Sequence, residues 1–511
     1  MRFVERVWAK KIAPARARWS SIFSSGRPFF NGAPTKLSYN LRVSTDKAGA
    51  PPSSTINLAY KNFTLHASLT GLLMHTVDES RLFRKISARI LPLVMLGFLL
   101  SYTNRINVGF AKLQMASDLH FSDAVYGLGA GIFFVGYFFF EVPSNILLHR
   151  FGARRWIARI MLTWGLLSAL TALVHTAWQF YTMRLLLGVA EAGFLPGVIY
   201  YMSQWYPSTR RARTWSVFYI SLASSGLFGS LISGAILAKL SGAGGLAGWQ
   251  WLMVLEGLPT LLLGVYVFFR MEDRPRDVNW LTDAEKEHLD ALLAREATAK
   301  AGMNMRHLFV SGRVWMLAAI YFAYNVAVYS LSFWLPTMIQ GMGVHGALRI
   351  GELSALPNAC AIVAMLVVGY SSDRFDERRW HLVGAFSVAA VGFIATYCWR
   401  HDAPLAIGAL CVASMGLLSI PALFWTLPTA LLAGVTAAAG IGMINSLGNL
   451  SGLVAPVLFG DLKQATGDTG TALVAIAALL VVGALLVLQV TRRSRPPREP
   501  LIEAASNWSP R

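Results

Sequence analysis

The sequence predicts an all-α polytopic membrane protein, with twelve transmembrane helices in two six-helix halves and both termini cytoplasmic. Three observations predict it. Of 511 residues, 55% are hydrophobic and only 14% are charged, where a soluble domain carries roughly 25% charged residues. Windows of about 20 apolar residues recur along the chain, the length that a hydrocarbon core of about 30 Å demands. Basic residues concentrate in alternate connections between those windows.

The spans read as 90–111, 125–148, 157–176, 180–205, 214–238, 251–270, 314–339, 351–371, 382–400, 404–430, 438–460 and 471–490. If the start of the first span is cytoplasmic, the connections on that side carry 27 Lys and Arg against 5 on the other. The positive-inside rule then places both termini in the cytoplasm. The longest internal connection holds a Thr282–Glu285 capping box that opens a short amphipathic helix. It separates six spans from six. Asn145–Arg155 after the second span (NILLHRFGARR) echoes Gly369–Arg379 after the eighth (GYSSDRFDERR), as a duplicated half requires; such parallel repeats are related by an axis along the membrane normal. The expected organisation is therefore an extension over 1–73, a first half over 74–270, a cytoplasmic linker over 271–313, a second half over 314–490 and a cytoplasmic tail over 491–511.

Residues 1–73 hold 11 basic and 2 acidic residues and no spanning window. They lack the apolar core of a secretory signal. The expectation is a disordered upstream extension from a misassigned start, without a role in function; an amphipathic targeting peptide is the alternative. The net charge of +19 comes from this segment and from the short connections, so no nucleic-acid partner is expected. Cys360, Cys398 and Cys411 are scattered in apolar segments and indicate neither a disulfide framework nor a metal site. No HExxH, Walker A or GxSxG motif is present, and Gly341–Gly346 matches GxGxxG without a preceding strand. No enzyme and no cofactor are expected.

The informative residues are the charges inside the spans. Arg105 lies in the first, and Arg184 and Glu191 lie seven residues apart on one face of the fourth. A guanidinium at bilayer depth is costly and normally faces a protein cavity. Two arginines and a carboxylate there imply a polar cavity for something negatively charged; the alternative is a structural salt bridge. Arg105 is the leading ligand, since its planar fork matches a carboxylate and stays charged. Tyr102 lies three residues earlier on the same face. Glu191 is the leading proton carrier, and Arg184 either tunes it or packs. Asn445 and Asn449 share a helical face, available to a substrate or to interhelical hydrogen bonds. Tyr324, Asn325 and Trp425 are candidate wall residues, whereas Glu141 and Glu256 read as structural.

Several segments together resemble the major facilitator superfamily, and within it the anion:cation symporter group: Ser101–Met115 (SYTNRINVGFAKLQM), Arg184–Gly197 (RLLLGVAEAGFLPG), Gly248–Pro259 (GWQWLMVLEGLP), Asp373–His381 (DRFDERRWH), Phe424–Pro428 (FWTLP) and Gly442–Gly452 (GMINSLGNLSG). The resemblance covers about residues 80–490. Similar members include permeases for tartrate, phthalate, sugar acids and 4-hydroxyphenylacetate. It implies uptake of a small organic carboxylate with protons, by alternating access, through a monomer in the bacterial inner membrane. It places Arg105 on the substrate carboxylate, Tyr137 in the substrate cavity and Glu191 in proton transfer. It also implies conformational latches in the basic loops, here Arg150, Arg154 and Arg155, and Asp373, Arg374 and Arg378. The second copy is the better match, because the first has His149 where an acid is usual.

One departure stands out. Many members have aspartate immediately before the first-helix arginine, and this chain has Asn104. With no titrating group there, Glu191 alone is expected to couple transport, at about one proton per anion. The rival expectations are an uncoupled facilitator or anion exchanger, and a substrate-sensing membrane receptor that moves no cargo.

Overall fold

The computed structural model describes residues 77–298, 311–375, 377–431 and 435–492. The extension at 1–73 and most of the tail lie outside them. Helices of the first half are α1 (Glu79–Asp118), α2 (Asp123–Phe151), α3 (Ala153–Leu170), α4 (Ala177–Glu191), α5 (Phe194–Ser203), α6 (Ser208–Lys239) and α7 (Gly248–Arg270); α8 (Asp283–Thr298) follows. The second half has α9 (Gly312–Gly341), α10 (Ala347–Arg374), α11 (Arg379–Cys398), α12 (Ala403–Phe424), α13 (Thr426–Leu431), α14 (Val435–Asn449), α15 (Ser451–Thr466) and α16 (Gly470–Arg492). Among the described residues, twelve segments are long and apolar enough to cross a membrane.

The first span is longer than its hydropathy suggests. Asp78 caps α1 by accepting from the backbone N–H groups of Ser80 and Arg81 at 2.9 and 3.1 Å. The 40-residue helix that follows is about 60 Å long, roughly twice the hydrocarbon thickness.

Three spans are broken, where unbroken helices were expected. The fourth divides between α4 and α5, the tenth at Trp425 and the eleventh at Leu450. The first break has a clear cause. Gly193 sits at φ 86°, and a Cβ there would lie 2.3 Å from Ser144 Oγ, so the backbone turns where only glycine fits.

Packing repeats between the halves. In each, the second span packs on the fourth, the third on the sixth, and the first on both the fifth and the sixth. Between halves, α1 meets α9, α2 meets α15 and α6 meets α10. These contacts are close. A Cβ on Gly234 would lie 2.9 Å from Gly351 Cα, so α6 and α10 approach with little but backbone between them.

Ties between the halves gather at the end that bears the 119–122 and 342–346 connections. Lys112 of α1 and Lys463 of α15 both ion-pair with Asp123 of α2, the latter at 3.0 Å. Lys112 Nζ also lies 3.9 Å from the centre of the Trp334 ring. Nearby, Tyr126 donates to the Phe333 carbonyl at 2.9 Å, and Gln464 accepts from the Ala124 N–H at 3.0 Å.

At the opposite end, α8 is bound to the first half. The capping box forms as expected: Thr282 N donates to Glu285 Oε2 at 2.8 Å, and Glu285 N donates to Thr282 Oγ1 at 3.3 Å. Lys85 pairs with Glu285 at 2.9 Å, and Trp280 stacks on Trp205 with ring centres 5.8 Å apart.

Candidate functional site

A cavity lies between the halves. α1 presents Ser101, Tyr102 and Arg105 to it from one face, and α2 presents Tyr137. The break in the fourth span supplies Glu191 and Phe194, and α6 supplies Tyr219. From the second half come Tyr321, Tyr324, Asn325 and Tyr329 of α9, and Asn445 and Asn449 of α14. Discontinuous helices are a common means by which membrane transporters place ligands at depth, and all three broken spans line this cavity, the tenth through Pro421.

Arg105 and Glu191 form an ion pair between Nη2 and Oε1, with side chains 12% and 2% exposed. Ser101 Oγ donates to the same carboxylate oxygen at 2.7 Å. The guanidinium sits among three rings of α2, 5.1 Å from the centre of Phe133, 5.7 Å from Phe134 and 5.3 Å from Tyr137. Aromatic faces stabilise a cation that has lost its water. Arg105 Nε and Asn325 Nδ2 are buried and have no hydrogen-bond partner among the described residues. A buried donor left unmade costs about 1–3 kcal/mol, and the hydroxyls of Tyr329 and Tyr321 lie beside the Arg105 and Asn325 side chains respectively. Across the cavity, Tyr329 donates to Asn449 Oδ1 at 3.4 Å.

Eight of the candidate residues therefore meet in one cavity: Tyr102, Arg105, Tyr137, Glu191, Tyr324, Asn325, Asn445 and Asn449. Three others sit elsewhere. Arg184 is buried between α2 and α4, donating to the Gly129 and Ala130 carbonyls at 3.3 and 3.4 Å. The Phe133 ring, centred 5.0 Å from its guanidinium, lies between it and Arg105. Trp425 packs against Tyr321 from behind, ring centres 4.9 Å apart. Asn104 points away from Arg105 into a helix–helix contact. Its Nδ2 donates to the Glu256 carbonyl at 2.9 Å, and its Oδ1 accepts from Ser168 at 2.5 Å. An aspartate would lack that donor, which gives asparagine here a packing reason. Of the two carboxylates read as structural, Glu256 accepts from Ser233 at 2.8 Å and Glu141 is buried.

In the basic loops, Arg150 lies against Phe151 at 5.7 Å and Arg155 is exposed. The backbone N–H of Arg154 donates to Asp273 at 2.8 Å. Arg378 donates to Ser372 at 2.9 Å and Arg374 to Tyr370 at 3.5 Å. The side chain of Asp373 lies outside those described.

Sequence reasoning missed Ser101, Tyr219, Tyr321 and Tyr329. Periodicity held a signal for three. Ser101 is four residues before Arg105, and Tyr321 and Tyr329 flank Asn325 by four on either side, so each shares its neighbour's face.

Residues 94–456 match the family model of the Major Facilitator Superfamily. The chain belongs to this superfamily. It is a multi-pass membrane transporter of a small organic solute, and not an enzyme. The metabolite transport protein NicT of Pseudomonas putida is 43% identical over 80% of this chain and 94% of its own length. A protein of Agrobacterium vitis named as a tartrate transporter is 43% identical over 81% of this chain and 92% of its own. The inner membrane transport protein RhmT of Escherichia coli is 37% identical over 82% and 98%. Two solved superfamily structures share the fold. A bacterial homologue of the human lysosomal transporter Spinster, inward-facing and unoccupied, has a TM-score of 0.64 at 18% identity, covering 79% of this chain and 97% of that one. The E. coli xylose transporter XylE, partially occluded and inward-open, has 0.63 at 14%, covering 78% and 97%.

Proposed function

We propose that this superfamily member imports a small organic carboxylate together with a proton, through the inner membrane of a bacterium. The observation that carries the reading is the Arg105–Glu191 pair in the interfacial cavity. A substrate carboxylate and the Glu191 carboxylate compete for the same guanidinium. A proton on Glu191 releases Arg105, and the incoming anion takes its place. Before the exchange the pair is neutral. After it, Arg105 is balanced by the substrate and Glu191 carries no charge. The two mixed states, proton without anion or anion without proton, leave one uncompensated charge in a desolvated cavity, which is expensive at membrane depth. Rocking between access states is favoured for the two balanced states, and that preference is the coupling. A monocarboxylate moves electroneutrally at one proton per anion.

Relatives named for tartrate and metabolite transport support a polar organic cargo, and the name of RhmT supports the inner-membrane location. With the expected orientation, the end sealed by Lys112, Asp123 and Lys463 faces outside. The test is uptake of a labelled carboxylate panel into proteoliposomes, with and without an inward proton gradient. The expected result is gradient-driven accumulation of one acid, lost in Arg105→Ala. Uptake that only equilibrates, indifferent to the gradient, would rule out symport, and a cargo without a carboxylate would rule out the role of Arg105.

A further inference from the structure

Beside the charged cavity lies a second, smaller chamber, also between the halves. The two share Tyr102, Leu222 and Val328 as walls. The Tyr102 hydroxyl meets Ser332 Oγ across the halves at 3.3 Å, and this thin septum is part of what divides them. The chambers differ in chemistry. The first holds Arg105, Glu191 and three asparagines. The second is walled by Ile106, Phe110, Leu331, Leu335 and Leu418, among others, and among the described residues no Asp, Glu, Lys, Arg or His lines it. Its polar groups are few. One is Asn358, whose Nδ2 donates to the Ser354 carbonyl at 3.1 Å and whose Oδ1 packs over Gly226 of α6.

We propose that the second chamber is a subsite for the apolar body of the transported anion. The proposal rests on the carboxylate reading of the first chamber and extends it. With its charged end on Arg105, a substrate that runs past Tyr102 buries an aryl or alkyl body among leucines. The favoured cargo is an elongated monocarboxylate with an apolar middle. Compact polyhydroxy acids leave this chamber empty and gain nothing from it. Each methylene buried there raises affinity about fourfold, so chain length is the readout.

Benzoate and 3-phenylpropionate are the probes, with binding measured as ligand-dependent thermal stabilisation of the purified full chain. The readout is the ratio of their affinities, in which losses of folded protein cancel. In the natural sequence 3-phenylpropionate is expected to bind at least tenfold more tightly. Leu418→Phe, which fills the chamber, is expected to cut that ratio at least fivefold. Leu418→Ala, which enlarges it, moves the preference to 4-phenylbutyrate. A ratio unchanged in both variants overturns the proposal, including the case in which every acid loses equally because the chamber is only a passage. Benzoate reports on the first chamber alone. If benzoate binds in an Arg105-dependent way and the longer acid binds no better, the subsite fails and the carboxylate reading stands. If neither acid binds through Arg105, the subsite fails and the carboxylate panel alone decides the reading of the first chamber.

Discussion

Glu191→Gln isolates the ion pair. The substitution removes one charge from a pair whose side chains are 12% and 2% exposed, and it keeps a carbonyl oxygen for Ser101 and for the guanidinium. Removing one partner of a buried pair costs about 3–5 kcal/mol, and the retained acceptor points to the lower end. That cost falls on the empty protein, which must hold an uncompensated guanidinium at depth. A bound carboxylate supplies the missing charge. If it recovers about half of the low-end cost, roughly 1.5 kcal/mol, affinity rises about tenfold. Binding should also lose its dependence on pH, because no proton need be taken up to free Arg105. Titration calorimetry on the purified variant at several pH values, with the carboxylate identified by uptake, reads both effects. Weaker binding, or binding that keeps its pH dependence, would refute competition between Glu191 and the anion. Acid-driven accumulation is expected to vanish while exchange of labelled for unlabelled substrate survives.

Three further substitutions probe separate parts of the argument. Arg105→Lys keeps the charge but loses the planar fork; a loss of about 1–3 kcal/mol in carboxylate binding is expected, on the scale of one charge-assisted hydrogen bond, and unchanged affinity would mean that a point charge suffices. Asp123→Asn leaves Lys112 and Lys463 facing each other with no carboxylate between them, so the sealed end should open more often; a cysteine at Ser230 should then react several-fold faster with an impermeant maleimide, and an unchanged rate would show that the lysines do not hold the seal. Asn104→Asp should destabilise the protein by about 1–3 kcal/mol through the lost donor to the Glu256 carbonyl, without changing the number of protons carried per anion. A rise in that number would show that position 104 communicates with the cavity.

The spans were legible because hydropathy reports burial in lipid directly, and the charged site was legible because a guanidinium in an apolar run needs a reason. What the sequence hid falls into two kinds. A spanning window averages over some 20 residues, so the two-residue break at Ala192 and Gly193 leaves it unchanged. Only the GFLPG run at Gly193–Gly197, with two glycines and a proline inside a helix, hints at the turn. The tyrosines were hidden for another reason. Tyr219, Tyr321 and Tyr329 suit a membrane interface, a lipid face or a cavity equally well, and one helix alone does not say which of its faces meets the other half. Asn104 is a different lesson. Its adjacency to Arg105 in sequence suggests electrostatic partnership, yet a helix turns about 100° per residue, and neighbours in sequence face different helices. The asparagine is read better by what lies at its own angle, Ser168 and Glu256, than by the arginine beside it.

The same helical geometry joins the site to the seal. Along α1, Tyr102, Arg105, Gly109 and Lys112 step by three and four residues and lie on one stripe. Tyr102 and Arg105 line the charged cavity, Gly109 meets the Phe333 carbonyl of α9 closely, and Lys112 holds Asp123. α9 answers with its own stripe: Asn325 and Tyr329 in the cavity, Ser332 against Tyr102, and Pro336 in the second chamber. Arg105 and Lys112 are seven residues apart, about 10 Å along a helix, too far to interact through water under ordinary salt but fixed on one rigid element. A shift of α1 that follows exchange of Glu191 for a substrate carboxylate must carry Lys112 with it. The ligand and the seal thus act on one body, the first helix of the first half, against its counterpart in the second. Mechanical linkage of this kind needs no chain of side-chain rearrangements between them. It predicts that a flexible insertion of two glycines after Phe110 uncouples the two: carboxylate binding at Arg105 persists, while substrate no longer alters cysteine accessibility at the sealed end.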